Sequence, residues 1–364
     1  MKYRKDELCY IWLDSFLGLE YVHKKRIFDM ISEAPEISAV LTGAKEYLIA
    51  EIGESAFNTV KNSANSAYLD YVLSGLSARG IRALTYVSED YPQSLKDTPA
   101  PPLVLYARGD VSLLGKEIFG IVGSRKSLPL SVKLAERYTE SLVKAGFTIV
   151  TGIAEGIDCT AIKSALSCGG NIISVIAGGF DNIYPKNHLS LAEEVAKKGL
   201  IISEHPPEIA PQRFMFPVRN RIIAGLSRGV LIVSGGMKSG TLYTAEYAEE
   251  YGRDVFCVPY SVGVQSGAIC NELIKRGAML TDTPQDILDF YGKAISDNEP
   301  ELNEDELKVV RALASGPLHI EKISNYAGKQ VFEIMPLLSS LEIKGIIAKT
   351  GVNVFGLTRT VSEE

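Results

Sequence analysis

The sequence predicts an α/β fold. A doubly wound parallel sheet is preceded by a small helical domain and followed by a winged helix-turn-helix. Three observations carry this expectation. From Ile118 onward, short apolar runs ending in glycine alternate with amphipathic stretches, the pattern of βαβ units on a parallel sheet. Residues 5–78 show only helical spacing of apolar side chains. After an acidic, polar stretch, residues 304–364 give three helical segments and then two short strands around a Gly-Val-Asn turn. The expected domains are therefore 1–78 (helical), 79–117 (an irregular connector), 118–292 (the sheet domain), 293–303 (a linker) and 304–364 (winged-helix-like).

The elements follow in order. ELCYIWLDSF and HKKRIFDMISEA are helical, punctuated by Pro35 and Gly43. The connector holds short β-rich pieces and the proline cluster at 99–102. IFGIVG is a continuous apolar run, suited to a strand buried on both faces. SLPLSVKLAERYTESLVKAG is an amphipathic helix ended by Gly146. FTIVTG, NIISVIAGG, LIISE, GVLIVSGG and RDVFCVP continue the strands. GIDCTAIKSALSCGG, LSLAEEVAKKG, NRIIAGLS, SGTLYTAEYAEEYG and GAICNELIKRG are the helices between and after them.

The chain has 364 residues and a formal charge of -6. Any role on nucleic acid must then rest on a local basic patch and not on global attraction. The five cysteines form no C-x-x-C pair and read as reduced, mostly buried thiols of a cytoplasmic protein. The four histidines have no zinc spacing, so no metal or cofactor is expected. The N-terminus carries charges within its apolar stretch, unlike a signal peptide, and no run reaches the ~20 apolar residues of a membrane span.

Ligands of a doubly wound sheet bind beyond the carboxyl ends of its strands. After the first strand stand Gly123, Ser124, Arg125 and Lys126. The turn is neither G-x-G-x-x-G nor a P-loop. It reads as a phosphate contact, with a bland loop as the alternative. After the second strand, Gly152 and Gly156 in TGIAEGID suit a tight turn, structural or ligand-facing. Further on, RFMFPVRNR interleaves Arg213, Phe214, Phe216, Arg219, Asn220 and Arg221. Guanidinium groups suit phosphates and aromatic rings suit bases. The competing reading puts the phenylalanines in the core and pairs the arginines with Glu204 and Glu208. Arg228 follows just before the next strand. After that strand, Gly235, Gly236, Lys238, Ser239, Gly240 and Thr241 make a flexible hydroxyl-rich loop opening a helix, a second anion cradle. Asp158 and Asp181 read as cap or turn residues, His188 and His205 have no matched partners, and no nucleophile–base pair stands out.

Together, IVGSRK, GIDCTAIKSAL, YPKNHLSLAEEV, GLIISEHPP, FPVRNRIIAGLS, KSGTLYTA, GRDVFCVP and NELIKRGA resemble the DprA/Smf family of bacterial DNA-processing proteins. The resemblance spans most of the chain. It implies a Rossmann-like sheet domain, a SAM-like N-terminal domain and a C-terminal winged helix. It also implies a non-enzymatic function: binding single-stranded DNA without sequence preference and loading a RecA-type recombinase, as in natural transformation. The family's DNA pocket maps onto Ser124, Arg125, Arg213, Phe216, Arg219, Arg221, Ser239, Gly240 and Thr241 here, and Gly123, Asn220 and Lys238 complete the expected DNA- and phosphate-binding set. Family members dimerise through the late part of this domain, which corresponds to Tyr243–Val258.

The sequence departs from the family pattern at Glu155 (usually Arg), Ile162 (usually His), Ser234 and Gly235 (usually Glu-Ala), Tyr260 (usually Gly) and Asn171 (often basic). A Glu155 pointing inward would repel phosphate. Two other readings stay open. SGGMKSGT with Glu246 is similar to the motif of LOG-type nucleoside-monophosphate phosphoribohydrolases, and the winged helix alone would suit an adaptor.

Overall fold

The computed structural model describes residues 3–16, 21–30, 36–237, 239–294, 302–314, 316–343 and 346–357. They fall into two compact units, Met1–Ile295 and Ser296–Glu364.

The first unit opens with helices α1 (Lys5–Asp14), α2 (Tyr21–Met30), α3 (Ile37–Gly43), α4 (Lys45–Asn62) and α5 (Ser66–Ala78). Residues 79–117 then form more than an irregular connector. They supply β1 (Arg82–Thr85) and β2 (Val104–Gly109), joined through α6 (Gln93–Lys96). β1 pairs antiparallel with β2, which pairs antiparallel with a later strand, Tyr106 lying opposite Ser203. The prolines that suggested irregularity lie between these strands, where no ladder hydrogen bond is lost. The connector therefore extends the sheet.

The alternating region follows: β3 (Ile118–Val122), α7 (Pro129–Lys144), β4 (Thr148–Thr151), α8 (Ile157–Ser167), β5 (Ile172–Val175), α9 (Leu189–Lys198), β6 (Leu200–Ser203), α10 (Met215–Leu226), β7 (Gly229–Ile232), α11 (Thr241–Glu250), β8 (Asp254–Cys257), α12 (Ala268–Lys275), β9 (Met279–Leu280) and α13 (Pro284–Phe290). The sheet has nine strands in the order β1-β2-β6-β5-β4-β3-β7-β8-β9, parallel from β6 to β9. Both faces are covered, which is why the strands read as unbroken apolar runs. Along β3, Phe119 and Ile121 join the layer of α7, α8 and α9, whereas Ile118 and Val122 join that of α10, α11 and α12.

The first layer also holds the N-terminal helices. Trp12 of α1 is fully buried. Buried Asp14 accepts from Lys24 Nζ and from Tyr106 Oη of β2, each at 2.8 Å, so helices and sheet share one polar clasp. At the sheet's rim, Arg79 donates to Asp181 and pairs with Glu208 at 3.1 Å. Asp181 and Glu208 are thus spent on architecture.

In the second unit, α14 (Glu304–Leu313) begins at a reciprocal cap between Asn303 and Glu306. β10 (Leu318–His319), α15 (Ile320–Ala327), α16 (Val331–Ile343), β11 (Ile347–Gly351) and β12 (Val354–Leu357) follow. The two final strands form a hairpin, and the short β10 adds to it in the order β10-β12-β11. Val309, Leu313, Ile323, Ile334 and Leu338 make this unit's own core.

Cys9, Cys257 and Cys270 are buried, while Cys159 is half-buried and Cys168 is exposed at the end of α8. Burial pushes the Cys9 thiol up to about 12. Among the described residues, no helix is long and apolar enough to cross a membrane.

Candidate functional site

The strand order reverses between β3 and β7, where an open parallel sheet leaves a crevice. A cleft of about 1040 Å³ occupies it. One wall is the turn after β3. Ser124 N donates to Ser234 Oγ at 3.3 Å, tying this turn to the end of β7. The Ser124 hydroxyl is itself held by the turn, bonding Lys126 O at 3.0 Å and accepting from Lys126 N at 3.1 Å. Gly156, at φ 78°, starts α8 under this turn. A Cβ there would lie 2.2 Å from the Ser124 carbonyl oxygen, so only glycine lets the two segments touch.

The opposite wall is α10. Phe216, Arg219, Asn220 and Ile223 face the cleft, the i, i+3, i+4, i+7 positions of one helix face. Asn220 bridges the walls, accepting from Arg219 Nε at 3.1 Å and donating to Gly240 O at 3.1 Å. In the loop after β7, the hydroxyls of Ser239 and Thr241 lie 2.8 Å apart, at the start of α11. Lys238, expected in this cradle, lies outside the described residues.

The charges of the cleft oppose those of the chain. Arg125, Lys126 and Arg213 are exposed along it, and among the described residues none is held in an ion pair. Arg125 lies over the Phe216 ring at 5.1 Å, and Tyr184 meets Phe216 edge-on at 5.7 Å. Arg219 is buried at the base, where its Nη1 donates to the Val175 carbonyl. A Cβ on Gly152 would sit 2.3 Å from Asp158 Oδ2 and 2.6 Å from Arg219 Nη2, so glycine admits both groups against the backbone. Desolvation pulls the Arg219 guanidinium down to about 10, leaving it cationic at neutral pH. Burial also raises the Asp158 carboxyl, with the Arg219 charge opposing the rise. Ala154 N donates to Asp158 Oδ2 at 3.3 Å.

Arg221 departs from its expected place. It is buried and paired with Glu204, outside the cleft lining. Successive helical residues turn by about 100°, so side chains two apart point nearly opposite ways. The expectation assigned both arginines to one surface by starting the helix at Asn220, but α10 begins at Met215. The competing pairing with Glu204 holds for Arg221. Arg228 lies at the other end of β7, paired with Glu117 and over the Tyr291 ring at 4.4 Å. The remaining expected residues, Gly123, Ser124, Arg125, Arg213, Phe216, Arg219, Asn220, Ser239, Gly240 and Thr241, line one cleft.

Sequence reasoning missed Tyr184, Tyr243 and the place of Asp158, all of which line it. Tyr184 had a signal, an aromatic residue in the loop after β5. Among the departures, Ile162 is core and Asn171 precedes β5, at the far end of that strand. Tyr260 fits because residue 267 is glycine: a Cβ there would lie 2.0 Å from the ring. His188 is buried, its Nδ1 bonded to Ile153 O at 2.8 Å. Glu246, the acid of the hydrolase-like motif, is exposed and outside the cleft lining.

A family model described as DNA recombination-mediator protein A matches residues 82–292, from β1 through the end of α13. The chain is 41% identical to the DNA processing protein DprA of Bacillus subtilis over 233 residues, 63% of this chain and 78% of that one. Its fold is similar to the X-ray structure of DNA processing protein A from Streptococcus pneumoniae, with TM-score 0.67 and 31% identity over 79% of this chain and 98% of the other. It is also similar to a structure of DNA processing protein A from Helicobacter pylori, reported for its unique single-stranded DNA binding mode. There the TM-score is 0.53 and the identity 30%, over 58% of this chain and 95% of that one.

Proposed function

The chain belongs to the DprA/Smf family of DNA recombination-mediator proteins, and on that premise we propose that its cleft binds single-stranded DNA without sequence preference. Its role is DNA processing and recombination mediation. Within that role, the proposal extends to loading a RecA-type recombinase on the bound strand, as a cytoplasmic homodimer and without catalysis. The observation that carries the proposal is the charge of the cleft. A chain with formal charge -6 exposes Arg125, Lys126 and Arg213 along it, free of ion pairs among the described residues.

The parts act as follows. Phosphates sit against the guanidinium of Arg125 and the ammonium of Lys126, with Arg213 on the facing segment. Arg219, fixed by the Val175 carbonyl and Asn220, supplies a desolvated charge at the base and loses little side-chain freedom on binding. Tyr184, Phe216 and Tyr243 offer ring faces that only unpaired bases can use. None of these contacts distinguishes one base from another.

A gel shift of single- and double-stranded oligomers over a salt series tests this. Three or four cations on phosphates give a slope of roughly -2 to -3 in log affinity against log salt, at about 0.7 per phosphate of single strand. Retention of the single strand with that slope is expected. Preference for duplex, or no salt dependence, overturns the reading. Faster recombinase filament assembly on the bound strand tests the loading step, light scattering tests the dimer, and nucleoside monophosphates left intact exclude the hydrolase.

A further inference from the structure

Beside the main cleft, at the carboxyl ends of β4 and β5, lies a side cavity of about 70 Å³. At roughly 10–15 Å³ for each water centre it holds about five waters, close to the bulk of one nucleobase. It shares the Tyr184 and Phe216 rings with the cleft, along with Arg125 and Arg219. Ile153, Ala177 and Pro185 contribute to its apolar surface, which is about half of the lining. Apolar surface and ring edges beside guanidinium donors suit a nucleobase, whose faces are apolar and whose edge carries acceptors.

Of the three charged side chains in this lining, Arg125 and Arg219 are donors and one is an acceptor. Glu155 is the single carboxylate among the described residues that line the cavity. Its Oε1 accepts from Asn187 Nδ2 at 3.4 Å, and its Oε2 has no partner among the described residues. An ionised carboxylate only accepts hydrogen bonds. It repels a phosphate and favours a ligand edge carrying two adjacent donors. Among unpaired bases, guanine has that edge, with N1–H and N2–H side by side. The amino groups of adenine and cytosine adjoin a ring nitrogen that would face the carboxylate with a lone pair. Thymine N3–H stands between two carbonyls.

We infer that the side cavity receives one unpaired guanine, whose N1–H and N2–H donate to Glu155. The inference rests on the single-strand reading above and adds a modest base preference to a grip otherwise blind to sequence. The sequence alone raised Glu155 as a liability for phosphate. In this geometry the same charge becomes a selector, since specificity is a difference of affinities and includes the rejection of wrong partners.

The test measures fluorescence anisotropy of the full chain with labelled single strands of about 15 nucleotides. One is all dT. One alternates dT with dG in lithium buffer, which suppresses guanine quadruplexes, and one replaces each dG by deoxyinosine, which lacks the N2 amine. A good bidentate contact predicts tighter binding of the dG strand on the order of tenfold, with the inosine strand between the other two. In E155Q the dG advantage disappears, while all-dT binds more tightly because a negative charge has left the rim. If dG and dT strands bind wild type equally, or E155Q keeps the dG advantage, the inference is overturned while the cleft reading stands. If no strand binds, the single-strand reading fails and the inference falls with it.

Discussion

Arg219→Met is the perturbation that most directly tests how the base of the cleft is built. Methionine keeps much of the length and removes the charge, leaving Asp158 buried without its cation. The Gly152 contacts place the Arg219 and Asp158 groups within about 5 Å of each other. At an effective dielectric near 20, unit charges at that separation attract by roughly 3 kcal/mol. The expected loss of stability in R219M is therefore about 3 kcal/mol, in line with other buried pairs that lose one partner. The loss depends on pH. Burial holds the Asp158 carboxyl above its ordinary 3.8, and removing Arg219 raises it further. A carboxyl whose folded pKa exceeds its unfolded value holds its proton more tightly when folded. Stability then falls as pH climbs from 3.8 through the folded value, so the R219M deficit is smaller at pH near 5 than near 8. Urea unfolding followed by the fluorescence of Trp12, the sole tryptophan and fully buried, reads both effects. The double variant R219M/D158N recovers most of the loss. If the two single changes add without coupling, or if the deficit is the same at both pH values, the electrostatic account of the site is wrong.

Three further outcomes follow from the same coordinates. Arg125→Ala and Arg213→Ala each flatten the salt slope by about 0.7 with melting unchanged, whereas Arg221→Ala leaves the slope alone and lowers the melting temperature, since it strips Glu204 of its partner. Gly156→Ala destabilises by roughly 3 kcal/mol in urea unfolding, because it adds overlap with the Ser124 carbonyl to an unfavourable φ of 78°. Gly169→Ala, at φ 67° with nothing within 4 Å, costs only about 1 kcal/mol and serves as the control. A chain ending after residue 294 keeps its single-strand affinity and salt slope within about twofold in the gel shift. The binding cleft lies wholly in the first unit, and α16 of the second carries no lysine or arginine.

The sheet was legible because its strands are buried on both faces. Runs such as IFGIV and the amphipathic helices between them leave few other folds open, and the glycine turns at strand ends mark where a ligand can approach. Residues 79–117 were harder. Of their two strands, β2 pairs with β6, almost a hundred residues later, and β1 only adds to β2; strands of four and six residues have too little periodicity to announce a partner so far along the chain. The roles of single polar residues were hardest. Asp158 reads as a cap from its sequence neighbours, because its burial beside Arg219 depends on Gly152, a contact between the ends of two different elements that no local pattern encodes.

The arginines of RFMFPVRNR show the limit most sharply. As residue types in a row, they read as one basic patch. The helix sorts them: a start at Met215 sends Arg219 to the cleft and Arg221 to Glu204, and the same turn puts Phe216 and Asn220 beside Arg219. A helix starting a few residues later would have left that row outside the helical register. Pro217 is tolerated because it falls within the first turn, where its missing N–H costs no helical bond. The position of that one boundary therefore decides which cations of this acidic chain are offered to a ligand and which are used to hold the fold together. A substitution that shifts the start of α10 would be expected to change DNA affinity and stability together, unlike one that removes Arg125 alone.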